Sequence, residues 1–121
     1  MTLKTLYVRL RWIVVSKVVM TRKAQAQLRE YIRYIRFRLK NSQAASSVMA
    51  DARKTKAALL NVADSLKYCD DEELKDLGYK TIHFHTHNYF FVFEVRGSTA
   101  FIVAVYHDLQ DYENLFKSEV L

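Results

Sequence analysis

Three histidines alternate along one stretch of the chain, at His83, His85 and His87. Residues two apart share a face of a β-strand, so these imidazoles would line one surface while Ile82 and Phe84 face the core. Imidazole titrates near neutral pH and can exchange a proton or contact a phosphate. The histidines are therefore candidates for general acid/base work or phosphate contact. A polar strand face without chemistry is the competing interpretation.

A metal site is a weaker alternative for the same histidines. Neutral imidazoles at i and i+2 can share one zinc ion, with His107 or Asp108 as a further ligand. The sequence lacks the cysteine pairs and the HExxH helix motif of common zinc sites, and its one cysteine, Cys69, lies beside acidic residues that disfavour a thiolate. We expect no metal and no cofactor.

Positive charge is concentrated in the first third of the chain. The first 40 residues contain eleven Lys or Arg against Glu30 alone, a balance of +10, so a total of +6 leaves −4 for the other 81 residues. Arg29, Arg33 and Arg36 lie on the polar side of an amphipathic helix. This asymmetry indicates a basic face for an anionic partner, either nucleic acid or an acidic protein segment.

Several classes of protein are disfavoured by composition. One cysteine cannot form an internal disulfide, which favours a reducing compartment. The apolar stretch 12–20 is interrupted by Ser16 and Lys17 and is shorter than the roughly 20 residues that cross a bilayer. Residues 21–23 do not resemble a signal-peptide cleavage site. We expect a cytoplasmic protein without a membrane segment.

The hydrophobic pattern predicts an α+β fold. A β-branched strand at 12–20 precedes a helix at 22–40, and a second helix covers 45–66, so that the two form an antiparallel hairpin. Three strands follow, at 79–85, 89–95 and 99–106, with a β-hairpin turn between the last two. Residues 108–116 form a short helix or a partly ordered arm. The resulting architecture is an N-terminal strand and a helical hairpin packed on one face of a mostly antiparallel sheet.

Both faces of that sheet are predicted to be apolar, because Phe91 and Phe93 alternate with Phe90 and Val92. One face must be covered by the helices. The other needs a partner or the chain's own tail, and we expect a partner. We treat 1–121 as a single domain, with residues 1–11 as a possible extension or loose basic arm.

The order of these elements and four local strings resemble the RelE/ParE superfamily of bacterial toxins, the plasmid-stabilisation proteins of type II toxin-antitoxin systems. The strings are MTRKAQAQLREYIRYI, LGYKTIHF, NYFFVFEV and AVYHDLQDYENLF, and the resemblance runs from about residue 14 to residue 116. It implies a compact basic toxin with a helical hairpin against a curved sheet, silenced by an antitoxin encoded beside it. RelE-like members are ribosome-dependent endoribonucleases that cut messenger RNA, whereas ParE-like members inhibit DNA gyrase.

The resemblance also implies which residues would cleave RNA. RelE-like nucleases carry a basic residue after the glycine that opens the sheet, which matches Lys80, and a Tyr or His near the end of the last strand, which matches Tyr106 or His107. Phe90 stands where the middle strand of these nucleases has an arginine. The nearby residues that could substitute for it are His85, His87 and Arg96.

The resemblance therefore implies a toxin that acts as a ribosome-dependent, metal-independent mRNA endoribonuclease. The alternatives are a ParE-like inhibitor of DNA gyrase and a degenerate toxin that only binds its antitoxin. The predicted partners are the antitoxin, and either the ribosome with its mRNA or gyrase. The residues predicted to bind nucleic acid or a partner are Arg29, Arg33, Arg36 and Arg96.

Overall fold

The computed structural model describes residues 15–120. In chain order its elements are β1 (Lys17–Met20), α1 (Arg22–Arg33), a π-helical turn (Tyr34–Arg38), α2 (Ser42–Val62), a 3₁₀ turn (Ala63–Ser65), α3 (Glu72–Asp76), β2 (Tyr79–His83), β3 (Tyr89–Arg96), β4 (Thr99–His107) and α4 (Tyr112–Val120). The possible extension or arm at residues 1–11 lies outside the described residues.

The four described strands form one sheet in the order β1-β4-β3-β2. β1 runs parallel to β4, while β2 with β3 and β3 with β4 are antiparallel. Gly97 adopts a φ of +59° in the β3–β4 turn, a left-handed conformation that glycine allows at low cost. The predicted α+β fold and the mostly antiparallel sheet are confirmed.

The helical hairpin covers one face of the sheet. Thr21 caps α1 by accepting a hydrogen bond from the backbone N–H of Ala24 at 3.2 Å, and Asn41 caps α2 in the same way. Leu28 and Leu59 face a sheet surface that includes Phe91. Large side chains buried in this way each contribute roughly 1.5 to 3 kcal/mol. This layer contains most of the buried apolar residues of the described chain.

The chain's own C-terminal helix covers the opposite face, so the expectation of a partner there was wrong. Phe116 of α4 is 1% exposed and meets Tyr79 edge-on, with 4.8 Å between ring centroids. Leu74 of α3 is fully buried in the same layer, together with Phe90 and Val92. α4 has only nine residues, which is too few for a repeating apolar pattern to identify its buried face from the sequence.

Several predicted boundaries also differ from the structure, including those of the second helix, which was predicted at 45–66 and runs from Ser42 to Val62. β2 ends at His83 rather than at residue 85, and residues 85–88 form the turn that leads to β3. The tail helix begins at Tyr112 and runs to Val120. None of the helices described between residues 22 and 120 combines the length and hydropathy needed to cross a membrane.

Candidate functional site

Lys80 lies on β2 and points toward the helical hairpin. It is 7% exposed, and its Nζ donates a hydrogen bond to the backbone oxygen of Ala63 at 3.1 Å. The same amine lies 4.7 Å from the centre of the Tyr68 ring. Burial lowers the pKa of Lys80, and the nearby charge of Asp64 opposes that shift. The ammonium group therefore links β2 to the turn that follows α2 and does not face solvent.

Tyr106 lies on β4 and points to the opposite face of the sheet. It is 2% exposed under α4, and its hydroxyl donates to a carboxylate oxygen of Glu119 at 3.1 Å. Burial, followed by the negative charge of Glu119, raises the pKa of Tyr106. A phenol in this setting is a poor proton acceptor because its anion would be buried beside a carboxylate.

Phe90 is Tyr106's cross-strand partner and shares its face of the sheet. It is 4% exposed, and its ring meets that of Tyr112 edge-on at 4.9 Å between centroids. The position at which RelE-like nucleases have an arginine is thus part of a packed aromatic cluster in this chain. It offers nothing that could stabilise charge on a phosphate.

His107 lies at the end of β4. Its ring is edge-on to Tyr89 at 5.0 Å, and its Nδ1 accepts a hydrogen bond from the backbone N–H of Leu109 at 3.1 Å. The backbone N–H of His107 donates to the side chain of Gln110. These contacts stabilise the turn that leads from the sheet into α4.

His83, His85 and His87 do not share one strand face, so this prediction was wrong. His83 is the last residue of β2 and lies 3.5 Å from Asp108. His85 and His87 belong to the β2–β3 turn, where the chain no longer alternates. Phe84 is buried as expected. Within residues 15–120, no group of three His, Cys, Asp or Glu side chains is arranged to hold a metal ion.

Asp51 of α2, which the sequence analysis missed, organises the β2–β3 turn. Its carboxylate accepts backbone N–H bonds from His85, Thr86 and His87 at 2.9 to 3.0 Å. The ring Nδ1 of His87 lies 2.8 Å from the same group, and its Nε2 lies 3.3 Å from the hydroxyl of Ser47. Burial raises the pKa of Asp51, but these hydrogen bonds outweigh it and hold the pKa at about 2.

One feature of the sequence could have revealed Asp51. It follows Val48 by three residues and precedes Thr55 by four, so it falls on the buried stripe of α2. An acidic residue at such a position is rarely buried without partners. It predicts that backbone or cationic donors lie opposite.

An acidic groove of about 300 Å³ opens where β2 meets α4. Its lining includes three carboxylates, from Asp70, Asp108 and Glu113, together with His83 and Tyr112. Burial, followed by the charge of Asp71, raises the pKa of Glu113. Negative charge at this opening disfavours the approach of a phosphate backbone.

The sequence matches the family model of the ParE toxin of type II toxin-antitoxin systems, parDE, over residues 18–112. The chain belongs to the ParE toxin family. This confirms the predicted membership of the RelE/ParE superfamily. A solved structure titled "Chromosomal ParDE TA system from P. aeruginosa" has the same fold, with a TM-score of 0.61 and 22% sequence identity, covering 78% of this chain and 97% of that one. No curated protein sequence matches the chain.

The ParE-family toxin does not bring Lys80, Tyr106 and His107, three of its five predicted catalytic residues, onto one face of the sheet. Lys80 pairs with Phe93 and Tyr106 pairs with Phe90, three residues apart on β3, so the two side chains lie on opposite faces. His107 shares the face of Lys80 but pairs with Tyr89, roughly 13 Å from Phe93 along the strand. Lys80 and Tyr106 are therefore directed away from each other, and the strand register also separates His107 from Lys80.

The toxin's predicted binding arginines divide into two locations. Arg29, Arg33 and Arg36 are exposed on α1 and the π-helical turn. α1 extends toward the C-terminal end of β4, since Gln27 and Tyr31 both hydrogen-bond to the backbone of Val105. Arg96 lies at the other end of the sheet, beside the β3–β4 turn, with its guanidinium 2.8 Å from Glu94.

Proposed function

We propose that this ParE-family toxin acts by binding a protein target rather than by cutting RNA. DNA gyrase is the target that the resemblance to ParE-like toxins implies. The observation that carries the proposal is the placement of Lys80 and Tyr106 on opposite faces of the sheet.

Metal-free RNA cleavage needs a proton acceptor for the 2′-hydroxyl, a cation for the developing charge and an acid for the leaving oxygen. These groups must lie within about 3 Å of their reacting atoms. Moving α4 away would expose Tyr106, yet it could not turn Tyr106 to the face of Lys80, because the strands fix both directions. The opposite orientation of Lys80 and Tyr106 therefore supports a binding function over RNA cleavage by these two residues.

Two assays with the purified toxin separate the candidates. In the first, gyrase is incubated with supercoiled plasmid and the toxin, and inhibited supercoiling or trapped DNA breaks are expected. In the second, a defined message is translated in vitro, and primer extension is expected to show intact message. Cleavage at codon boundaries that requires ribosomes would overturn the proposal and restore the endoribonuclease. Inactivity in both assays, with growth unaffected, would favour the degenerate toxin.

We also propose that the toxin is silenced by an antitoxin whose acidic segment contacts Arg29, Arg33 and Arg36. Support comes from the exposed basic side of α1 and from the family's place in toxin-antitoxin systems. A segment with carboxylates at helical spacing would match cations that lie three or four residues apart. Copurification with the product of a neighbouring acidic reading frame tests this pairing.

A further inference from the structure

The far end of α1 carries large apolar side chains that face away from the core. In the π-helical turn Tyr34–Arg38 only Ile35 is buried, while Tyr34 and Phe37 are 55% and 64% exposed. The turn closes with Lys40 at a φ of +50°. Contiguous exposed aromatic side chains contribute little to folding, and they are typical of interaction sites.

These aromatic residues line an open groove of about 390 Å³. The lining residues are Glu30, Arg33, Tyr34, Phe37 and Arg38, spaced i, i+3, i+4, i+7 and i+8, which places them on one stripe. All except Glu30 end in an aromatic ring or a guanidinium, which are flat groups large enough to stack on a ring. Such groups stack on flat rings.

The groove is also strongly cationic. Arg29, Arg36 and Lys40 are exposed around it, in addition to the two arginines of the lining. Across residues 15–120, the only carboxylate within ion-pair distance of any of these five cations is Glu30, 4.0 Å from Arg33. Both members of that pair are more than 70% exposed, so the pair neutralises little of the local field.

We propose that this groove binds single-stranded nucleic acid, with bases stacked on Tyr34 and Phe37 and phosphates held by the surrounding arginines. Aromatic platforms beside a basic track are the arrangement that binds unpaired strands without reading sequence. A duplex hides the faces of its bases, so it would engage only the cations. An acidic polypeptide without aromatic residues would satisfy the charges but has no flat rings to stack on the stripe. The site requires neither gyrase nor any catalytic residue, but it shares Arg29, Arg33 and Arg36 with the proposed antitoxin contact, so the two ligands would compete.

Fluorescence anisotropy with labelled strands of about 12 nucleotides, within the usual span of single-strand sites, tests the proposal. Oligothymidine and oligouridine distinguish DNA from RNA, and both are expected to bind more tightly than a duplex of equal length. Phe37→Ala should weaken binding about tenfold, or about 1.4 kcal/mol, while Phe37→Tyr should retain it. Leu60→Ala, at an exposed apolar position of α2, is the matched control and should have no effect.

Salt dependence tests the phosphate contacts separately. For single strands, each phosphate contact contributes about 0.7 to the slope of log affinity against log salt. Arg36→Ala should reduce the slope by about that amount. Arg53→Ala, an exposed arginine on α2, should leave it unchanged.

A poly-glutamate of similar charge decides between nucleic acid and an acidic polypeptide. Phe37→Ala should weaken the binding of the oligonucleotides and leave the binding of poly-glutamate unchanged. The proposal is overturned if Phe37→Ala behaves like Leu60→Ala, if both anions lose affinity equally, or if no strand binds at about 50 mM salt, where such contacts are strong. Circular dichroism of each variant ensures that folded proteins are compared.

Discussion

The imidazole of His87 is held 2.8 Å from the buried carboxylate of Asp51, and this pair fastens the β2–β3 turn to α2. The same carboxylate accepts three successive backbone N–H groups of the turn, from residues 85 to 87. One side chain thus satisfies donors that would otherwise need water. His85 and His87, two of the histidines predicted to do chemistry, are therefore placed by a structural anchor.

Replacing Asp51 with Asn is expected to lower the free energy of unfolding by roughly 2 to 3 kcal/mol. An amide keeps one acceptor oxygen but turns an NH₂ group toward other donors. Urea unfolding followed by circular dichroism measures the change. Asp76→Asn, at an exposed acid on α3, should change stability by less than about 0.5 kcal/mol. Equal effects of the two substitutions would contradict the anchoring role.

Stability should also depend on pH through Asp51. Its pKa is about 2 in the folded protein, below the ordinary value of 3.8. The unfolded chain therefore binds this proton more tightly, so the stabilisation is complete above about pH 4 and is lost as pH falls toward 2. The full contribution is roughly 2 kcal/mol. The difference between the urea midpoints of wild type and Asp51→Asn should shrink as pH falls from about 6 to about 2.5. A difference that stays constant would show that Asp51 does not titrate in this range.

Lys80→Met should remain toxic. Methionine keeps most of the buried stem of Lys80 while removing the Nζ bond to Ala63, so a folded but less stable protein is expected. Tyr106→Phe, which loses only the hydrogen bond to Glu119, should behave in the same way. Induced expression with growth curves measures toxicity, and circular dichroism checks folding. If the folded variants no longer arrest growth, these residues act chemically after all.

Phe116→Ala should destabilise the protein by about 3 to 5 kcal/mol, because it removes a buried ring from the layer between α4 and the sheet. Leu115→Ala is a control within the same helix, since Leu115 is 40% exposed, and it should cost less than about 1 kcal/mol. Thermal and urea unfolding compare the two variants. Similar stabilities would mean that α4 is not packed on the sheet in solution.

Binding of the antitoxin should weaken as salt rises, because exposed charge pairs are screened over about 8 Å at physiological ionic strength. Reversing the charge of Arg29, Arg33 or Arg36 should weaken antitoxin binding. The loss of affinity relative to wild type should be larger at low salt than at high salt. Isothermal titration at low and high salt measures both effects. Arg53→Glu on α2 is the matched control. An affinity that does not change with salt would exclude the basic side of α1 as the contact.

The sequence by itself determined the elements and the family. The 3.6-residue period of α1, the N-cap at Thr21 and the glycine of the β3–β4 turn are local signals, each set by backbone and side-chain chemistry within a few residues. The four strings in their order carry the superfamily resemblance, and the family match over residues 18–112 agrees with it.

Only the tertiary structure decided which side chains share a surface. Residues 90 to 93 are all apolar, so the alternation of β3 carries no polar signal that says which face meets which helix. The pairings of Lys80 with Phe93 and of Tyr106 with Phe90 depend on contacts between distant segments. The register of each strand sets which residues are paired across the sheet. A shift of one residue would move every side chain of that strand to the opposite face. Residues that look like one active site in sequence therefore lie on two sides of the sheet, which local patterns cannot specify.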